Sequence, residues 1–315
     1  MVSAVQAPAP RKGRAGARSG KPTVSVVADT PGQRRFKAFA VVVLSLVVAV
    51  TLYPFVNVLA QSFSDSTNIA AGKVNLVPRG FNVDTYRVVM SDRDFWVGYR
   101  NTVVYTVVAT AISLFLTTCF AYATSKRHLK GRKALILFAV FTMFFNGGII
   151  PNYVLITSLG MRNTIWAVVL PSAISVFNVL VMKTFFEAMP EELEEAASID
   201  GLNTYGILLR IVLPLSKAVM ATMLLFYAVS HWNSWFQAFL YLDEKDMFPV
   251  TIYLRNMIAG VSSTASSGAE ASDIGMISAN IQSVTMVLIV LPIVCIYPFI
   301  QKYFVSGVML GSVKQ

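Results

Sequence analysis

Met189-Pro190-Glu191-Glu192-Leu193-Glu194-Glu195-Ala196-Ala197-Ser198-Ile199-Asp200-Gly201, continued by residues 202–210 to Ile211-Val212-Leu213-Pro214, is a charged island between apolar tracts. Pro190 suits a first helical position, and Glu191 and Glu192 then fall in the first turn, where the positive end of the helix dipole favours acids. Gly201 can take the left-handed conformation that closes a helix. The spacing predicts a helix of about three turns, with Leu193, Ala196 and Ala197 as a narrow apolar stripe. A lone helix of fewer than ~12 residues is marginal in water, so this one needs something to dock against. An anionic membrane surface would repel Glu191, Glu192, Glu194, Glu195 and Asp200, whereas small alanines let a protein groove approach closely. The residues alone equally allow an amphipathic connector that only joins two spans.

Outward from this island the chain is 55% hydrophobic and 13% charged, with a mean hydropathy of +0.62, a balance that excludes an ordinary soluble domain. Charge-free stretches cover residues 38–64, 101–125, 134–161 and 163–182 before the island, and 218–242 and 274–301 after it. Each is long enough to cross ~30 Å of hydrocarbon as a helix. The expected fold is an all-α integral membrane protein with six transmembrane helices, its membrane domain spanning residues 36–302. Residues 1–35 carry Arg11, Lys12, Arg14, Arg18, Lys21, Arg34 and Arg35 among Ala, Gly, Ser and Pro, and read as a disordered basic tail. Its Gly13–Lys21 segment is no phosphate loop, because Ala15 replaces the first glycine and Pro22 the final Ser or Thr. The first apolar run is too long for a cleaved signal, so it is expected to remain as an anchor.

Basic residues set the orientation. The tail and the turn 125–133, with Lys126, Arg127, Lys130, Arg132 and Lys133, belong inside. Both termini are then cytoplasmic, as are the island 188–214 and a tail at 303–315, while loops at about 65–100 and 243–273 lie outside. The Ser/Ala/Gly-rich part from Gly260 to Gly275 reads as a flexible tip. Cys119 and Cys295 fall inside apolar stretches, as buried small hydrophobes and not a disulfide.

Two apolar stretches carry polar or aromatic interruptions. Asn146-Gly147-Gly148-Ile149-Ile150-Pro151-Asn152 predicts a kinked or broken helix, either lining a path or merely bending. Residues 231–241 (His231-Trp232-Asn233-Ser234-Trp235-Phe236-Gln237-Ala238-Phe239-Leu240-Tyr241) read as an interfacial aromatic belt or as sugar recognition, with rings for stacking and amides for hydroxyls. Asn146, Trp232, Asn233 and Trp235 are the candidate path residues. Every acid falls outside the charge-free stretches, which weakens an ion-coupled secondary transporter or channel without removing it. His128 and His231 are the only histidines, so the sequence offers no metal-ligand cluster and no catalytic triad.

Glu195-Ala196-Ala197, three residues, Gly201, nine residues, Ile211, one residue and Leu213-Pro214 match the EAA-x3-G-x9-I-x-LP pattern throughout. The stretch thus resembles the cytoplasmic signature loop of permease subunits of binding-protein-dependent ABC importers. Asn146 to Tyr153, Trp232 to Leu242 and Tyr303 to Lys314 look like the matching stretches of carbohydrate permeases, nearest the maltose-type branch for complex oligosaccharides. The resemblance implies a type I importer permease that is not an enzyme, half of a permease pair for a sugar. Its partners would be a second permease subunit, two ATP-binding subunits and an extracellular solute-binding protein, with no nucleic acid. ATP and Mg would be bound by the ATP-binding subunits, leaving this chain without a cofactor. By the same resemblance Glu195, Ala196, Ala197, Asp200 and Gly201 shape the docking helix, and Ile211, Leu213 and Pro214 lead force into the fifth span. Gly311, Ser312 and Lys314 reach into the ATPase dimer, and the Gly260–Gly275 tip probes the binding protein's sugar cleft.

Overall fold

The computed structural model describes residues 30–266 and 280–298. The expected tails therefore fall largely outside the described residues, and Gly311, Ser312 and Lys314 do so entirely. The basic tail is shorter than its composition suggests, because helix α1 (Pro31–Ser62) begins inside it. Thr30 Oγ1 accepts the Gln33 N–H at 3.4 Å and Gln33 Oε1 accepts the Thr30 N–H at 2.9 Å, a reciprocal cap with Pro31 at the first helical position.

The chain divides at Leu52 into two units. The described part of the first is the apolar length of α1, whose side chains from Phe36 to Leu52 are exposed nearly all round. A helix apolar on every face has lipid or another membrane helix as its surroundings.

The second unit contains the short helices α2 (Ser66–Ala70) and α3 (Asp84–Ser91), then α4 (Arg93–Ser125). After a turn come α5 (Arg132–Phe144) and α6 (Ile149–Ser158), then α7 (Ile165–Val169), which runs on as a 3₁₀ turn, and α8 (Val176–Glu187). The charged island holds α9 (Glu191–Ile199) and α10 (Thr204–Ile207), followed by a π-turn at Leu208–Val212 and α11 (Leu213–Leu215). The last apolar elements are α12 (Lys217–Trp232), α13 (Phe236–Tyr241), α14 (Val250–Ser266) and α15 (Asn280–Pro298).

Helix α4 is the centre of this unit, and α8, α12 and α14 pack directly on it. Its buried face carries many small polar residues, Asn101, Thr102, Thr106, Thr110, Ser113, Thr117, Thr118 and Thr124, among apolar and aromatic ones such as Phe95, Tyr105, Ala109 and Tyr122. Ser113 Oγ lies 3.1 Å from His231 Nε2, and Thr117 Oγ1 lies 2.6 Å from the Tyr227 hydroxyl. Small hydroxyl side chains let membrane helices come close, and hydrogen bonds across the seam fix their register.

Among the described residues three helices, α1, α4 and α15, are long and apolar enough to cross a membrane alone. The other three apolar stretches belong to pairs bent by 114° (α5 with α6), 51° (α7 and its 3₁₀ turn with α8) and 84° (Thr204–Leu215 with α12), so there are six spans if each pair counts as one. At the sharpest bend Gly148 has φ +90° and donates its N–H to Asn146 Oδ1 at 2.9 Å. The break expected at Asn146–Asn152 is present.

Three expectations need correction. The loop at 65–100 is helical from Asp84 almost throughout, because α4 starts eight residues before its charge-free stretch and carries Arg93, Asp94 and Arg100 on its first turns. The loop at 243–273 holds α14, which includes part of the expected flexible tip; residues 267–279 lie outside the described residues. Its start is anchored by α4, where Thr102 Oγ1 accepts the Val250 N–H at 2.9 Å and Asn101 Nδ2 donates to the Asp246 and Phe248 carbonyls at 2.7 and 3.1 Å. Cys119 and Cys295 are free thiols on exposed apolar surface, not in the interior.

Gly98 marks the closest approach of α4 to α14. A Cβ there would stand 3.1 Å from both Val250 N and Cα, backbone atoms that cannot swing aside. Gly98→Ala is expected to cost about 1–3 kcal/mol, read as a lowered unfolding temperature of the detergent-solubilised protein.

Candidate functional site

The island folds into a self-capped elbow. Pro190 is the residue before the first helical position, one place earlier than its sequence suggests, and α9 follows with Glu191, Glu192 and Glu194 in its first turn. At the far end Leu202 N donates to Ala197 O at 3.0 Å and Gly201 N to Ser198 O at 3.1 Å, with Gly201 at φ +85°. This pair of bonds satisfies carbonyls that the helix end leaves free, and only glycine takes that φ without strain. Asn203 Oδ1 then caps α10 by accepting the Gly206 N–H at 2.8 Å.

The expected stripe is rotated. Ala197 is 4% exposed and sits on a floor formed by Ala121, Tyr122, Phe186, Ile207 and Val212, with Leu202 and Ile211 packed against it. Leu193 and Ala196 face outward instead, because Glu194, on the Ala197 side, turns inward to pair with Lys126. Glu195 and Asp200 are exposed, and neither is in an ion pair among the described residues. Ile199 at 86% and Tyr205 at 78% exposed, with Leu193 and Leu209, make an uncovered apolar patch beside Glu195.

Beyond α10 the chain reaches Pro214. Proline has no N–H for the carbonyl of Arg210, and the preceding turn widens into the π-turn at Leu208–Val212. Ser216, fully buried, takes the corner into α12 with its N–H bonded to Val212 O at 3.0 Å. Ile211 and Leu213 are half-buried and Pro214 exposed.

The path candidates do not converge. Asn146 borders a cleft of about 410 Å³ with Asn152, Pro171, Gln237 and Tyr241. Trp232 is buried, donates its indole N–H to Ile289 O at 3.1 Å, and borders an apolar cleft of about 570 Å³ between α4, α12 and α15. Asn233 donates its amide to Val229 O at 2.8 Å, within its own helix. Trp235 is half-exposed, with the Arg255 guanidinium 5.1 Å from its ring centre and 4.0 Å from that of Phe239. Sequence reasoning missed Arg255, which lay in an expected loop, and the hydroxyl face of α4, whose four-residue spacing at Thr102, Thr106 and Thr110 was there to be read.

The sequence matches the model of the binding-protein-dependent transport system inner membrane component over residues 95–309. The chain belongs to this family. The permease is 40% identical over 286 residues to Protein LplC of Bacillus subtilis (strain 168), covering 91% of this chain and 97% of that protein. It is 39% identical to the polygalacturonan/rhamnogalacturonan transport system permease protein YtcP of the same organism, over 86% of this chain and 95% of that protein. A solved bacterial ABC transporter involved in import of the acidic polysaccharide alginate has a chain that matches at a TM-score of 0.78 and 29% identity, over 89% of this chain and 100% of that one. The bacterial alginate transporter in complex with an alginate pentasaccharide-bound periplasmic protein matches at a TM-score of 0.52 and 15% identity, a likeness of fold. The permease therefore has the type I importer fold, and its family transports across a membrane.

The two tryptophans should separate on truncation. Trp232→Ala opens the α12–α15 seam and is expected to destabilise the permease by about 3–5 kcal/mol, whereas Trp235→Ala loses a surface cation–π contact worth about 0.5–1 kcal/mol. Thermal unfolding of the two variants in one detergent checks the difference.

Proposed function

We propose that this permease forms half of the translocation path of an ATP-driven importer for an oligosaccharide, and that α9 is where an ATP-binding subunit docks. The observation that carries the docking reading is the outward face of α9. It leaves Glu195, Ala196, Leu193 and Ile199 exposed on a helix seated through the buried Ala197, and Tyr205 of the following α10 is uncovered as well. A helix of nine residues does not hold an exposed apolar face in water without a use for it. The basic turn at Lys126–Lys133 supports a cytoplasmic position for this face and for both termini.

The oligosaccharide reading rests on the relatives named for polygalacturonan, rhamnogalacturonan and alginate transport. Asn146 with Asn152 and Gln237, and Trp235 with Phe239 and Arg255, supply the amides, rings and cation that sugar recognition uses. A second permease subunit, two ATP-binding subunits carrying ATP and Mg, and an extracellular solute-binding protein complete the transporter. Family membership sets aside a secondary transporter or channel working without ATPase partners.

Affinity purification of the tagged permease from native membranes tests the docking reading. Wild type is expected to bring down an ATP-binding subunit, and Glu195→Lys to lose at least tenfold of it while inserting in the membrane at the wild-type level. Equal recovery from both would remove the docking role from this face of α9.

A further inference from the structure

The basic turn between α4 and α5 does more than set orientation. Lys126 pairs with Glu194 on α9, and Arg132 with Glu187 at the end of α8, contacts that join segments 68 and 55 residues apart. Both pairs are largely enclosed: Lys126 and Glu194 are 19% and 22% exposed, whereas Arg127 and Glu191, 3.5 Å apart, are 82% and 71% exposed. Exposed pairs of the second kind contribute little, while separating an enclosed pair leaves charge poorly solvated.

Each enclosed cation is also fixed from its own side. Lys126 Nζ sits 4.3 Å from the centre of the Tyr122 ring, and Tyr122 is buried in the floor that receives Ala197. Arg132 Nε donates to Thr124 O at 2.7 Å, a carbonyl in the last turn of α4, and Lys183 Nζ joins Glu187 at 2.8 Å. A cleft of about 760 Å³ lies between the turn and α9, bordered by Lys126, His128, Glu187, Glu194, Glu195 and Ser198. The ion pairs therefore cross a gap as struts.

A helix seated through one buried alanine is held in depth but free to turn about its axis. Glu194 stands three positions before Ala197, on the same side, and its bond to Lys126 stops that turning.

We infer that Lys126 and Arg132 are positioning residues of the coupling machinery. They make the α4–α5 turn a second arm, so that displacement of α9 reaches α4 and α5 through the ion pairs as well as α12 through the Pro214 corner. This rests on the reading of α9 as the ATPase-docking helix.

The test uses the complete transporter, purified with its partner subunits and reconstituted with its binding protein. Lys126→Glu is expected to keep its ATP-binding subunit, because every side chain of α9 is unchanged and Ala197 still seats the helix, yet to lose at least tenfold of the ATP hydrolysis stimulated by loaded binding protein. The exchanged pair Lys126→Glu/Glu194→Lys is expected to recover at least a third of the wild-type stimulation, which a residue needed only for folding would not do. Should the exchange fail to assemble, Lys126→Cys/Glu194→Cys in a Cys119→Ser/Cys295→Ser background is expected to lose the stimulation as Lys126→Glu does and to regain at least a third of it when bridged by a short bifunctional thiol reagent, since the bridge replaces the strut. Wild-type stimulation in Lys126→Glu, an exchange that assembles without recovery, or a bridge that restores no stimulation would each overturn the second arm and leave docking intact. Absence of an ATP-binding subunit from the wild-type complex would overturn the docking reading itself.

Discussion

A helix that breaks inside a membrane releases backbone groups that water cannot reach, and the whole arrangement depends on where those groups find partners. In this permease α4 contributes to several of them, directly or through a neighbour. The Ser175 N–H, at the break before α8, donates to the Tyr227 hydroxyl at 3.1 Å, and that hydroxyl is held by Thr117 of α4. The irregular segment before α14 gives its free carbonyls to Asn101 and Tyr105 and its Val250 N–H to Thr102. One unbroken helix thus backs the break before α8 through Tyr227 and ties down the irregular segment before α14. The hydroxyl face has two consequences from one cause, since small residues admit close neighbours and their oxygens satisfy what those neighbours leave open.

The same logic shapes the elbow. Its corner lies at Ser216, where two helical segments meet at 84°, and the interior of that corner is closed by Val212 and Val219 beneath the seat of Ala197. The missing N–H of Pro214 widens the turn without breaking it, so the segment from α10 to α11 remains one lever. Since α9 is stapled to the same floor through Ala197 and Leu202, docking helix and lever share one packed base. On the docking reading, a push on the exposed face reaches the base of α12 through this shared cluster.

Much of this was legible before any coordinates. Hydropathy located the apolar stretches, Gly147-Gly148 with Pro151 located the sharpest break, and Gly201 located the end of α9. What the sequence concealed has physical reasons. Charge marks where a segment leaves hydrocarbon but not where its helix stops, so α4 and α14 extended into expected loops. A stripe of Leu193, Ala196 and Ala197 has helical periodicity whichever way it faces, and only the partner of Glu194, 68 residues earlier in the chain, decides the rotation. The four path candidates were chosen by residue type, and type does not reveal that Asn233 is satisfied within its own helix or that Trp232 is part of a packed seam.

The fixed positions of the EAA pattern separate into two physical kinds. Ala197 is small because it lies on a packed floor, Gly201 is glycine because φ is +85°, and Ile211 packs against the same cluster. Pro214 sits where the widened turn has no use for its N–H. These four are accounted for by atoms of this chain. Glu195 and Ala196 are not: both are exposed, and no ion pair engages Glu195 among the described residues. Nothing within the fold calls for a carboxylate followed by a methyl group at that point on an exposed helix. A requirement with no internal cause has an external one, and the face bearing Glu195 and Ala196 is also the face on which Ile199 and Tyr205 stand uncovered. On the docking reading proposed here, the pattern is the imprint of two surfaces, one buried within the permease and one that an ATP-binding subunit completes.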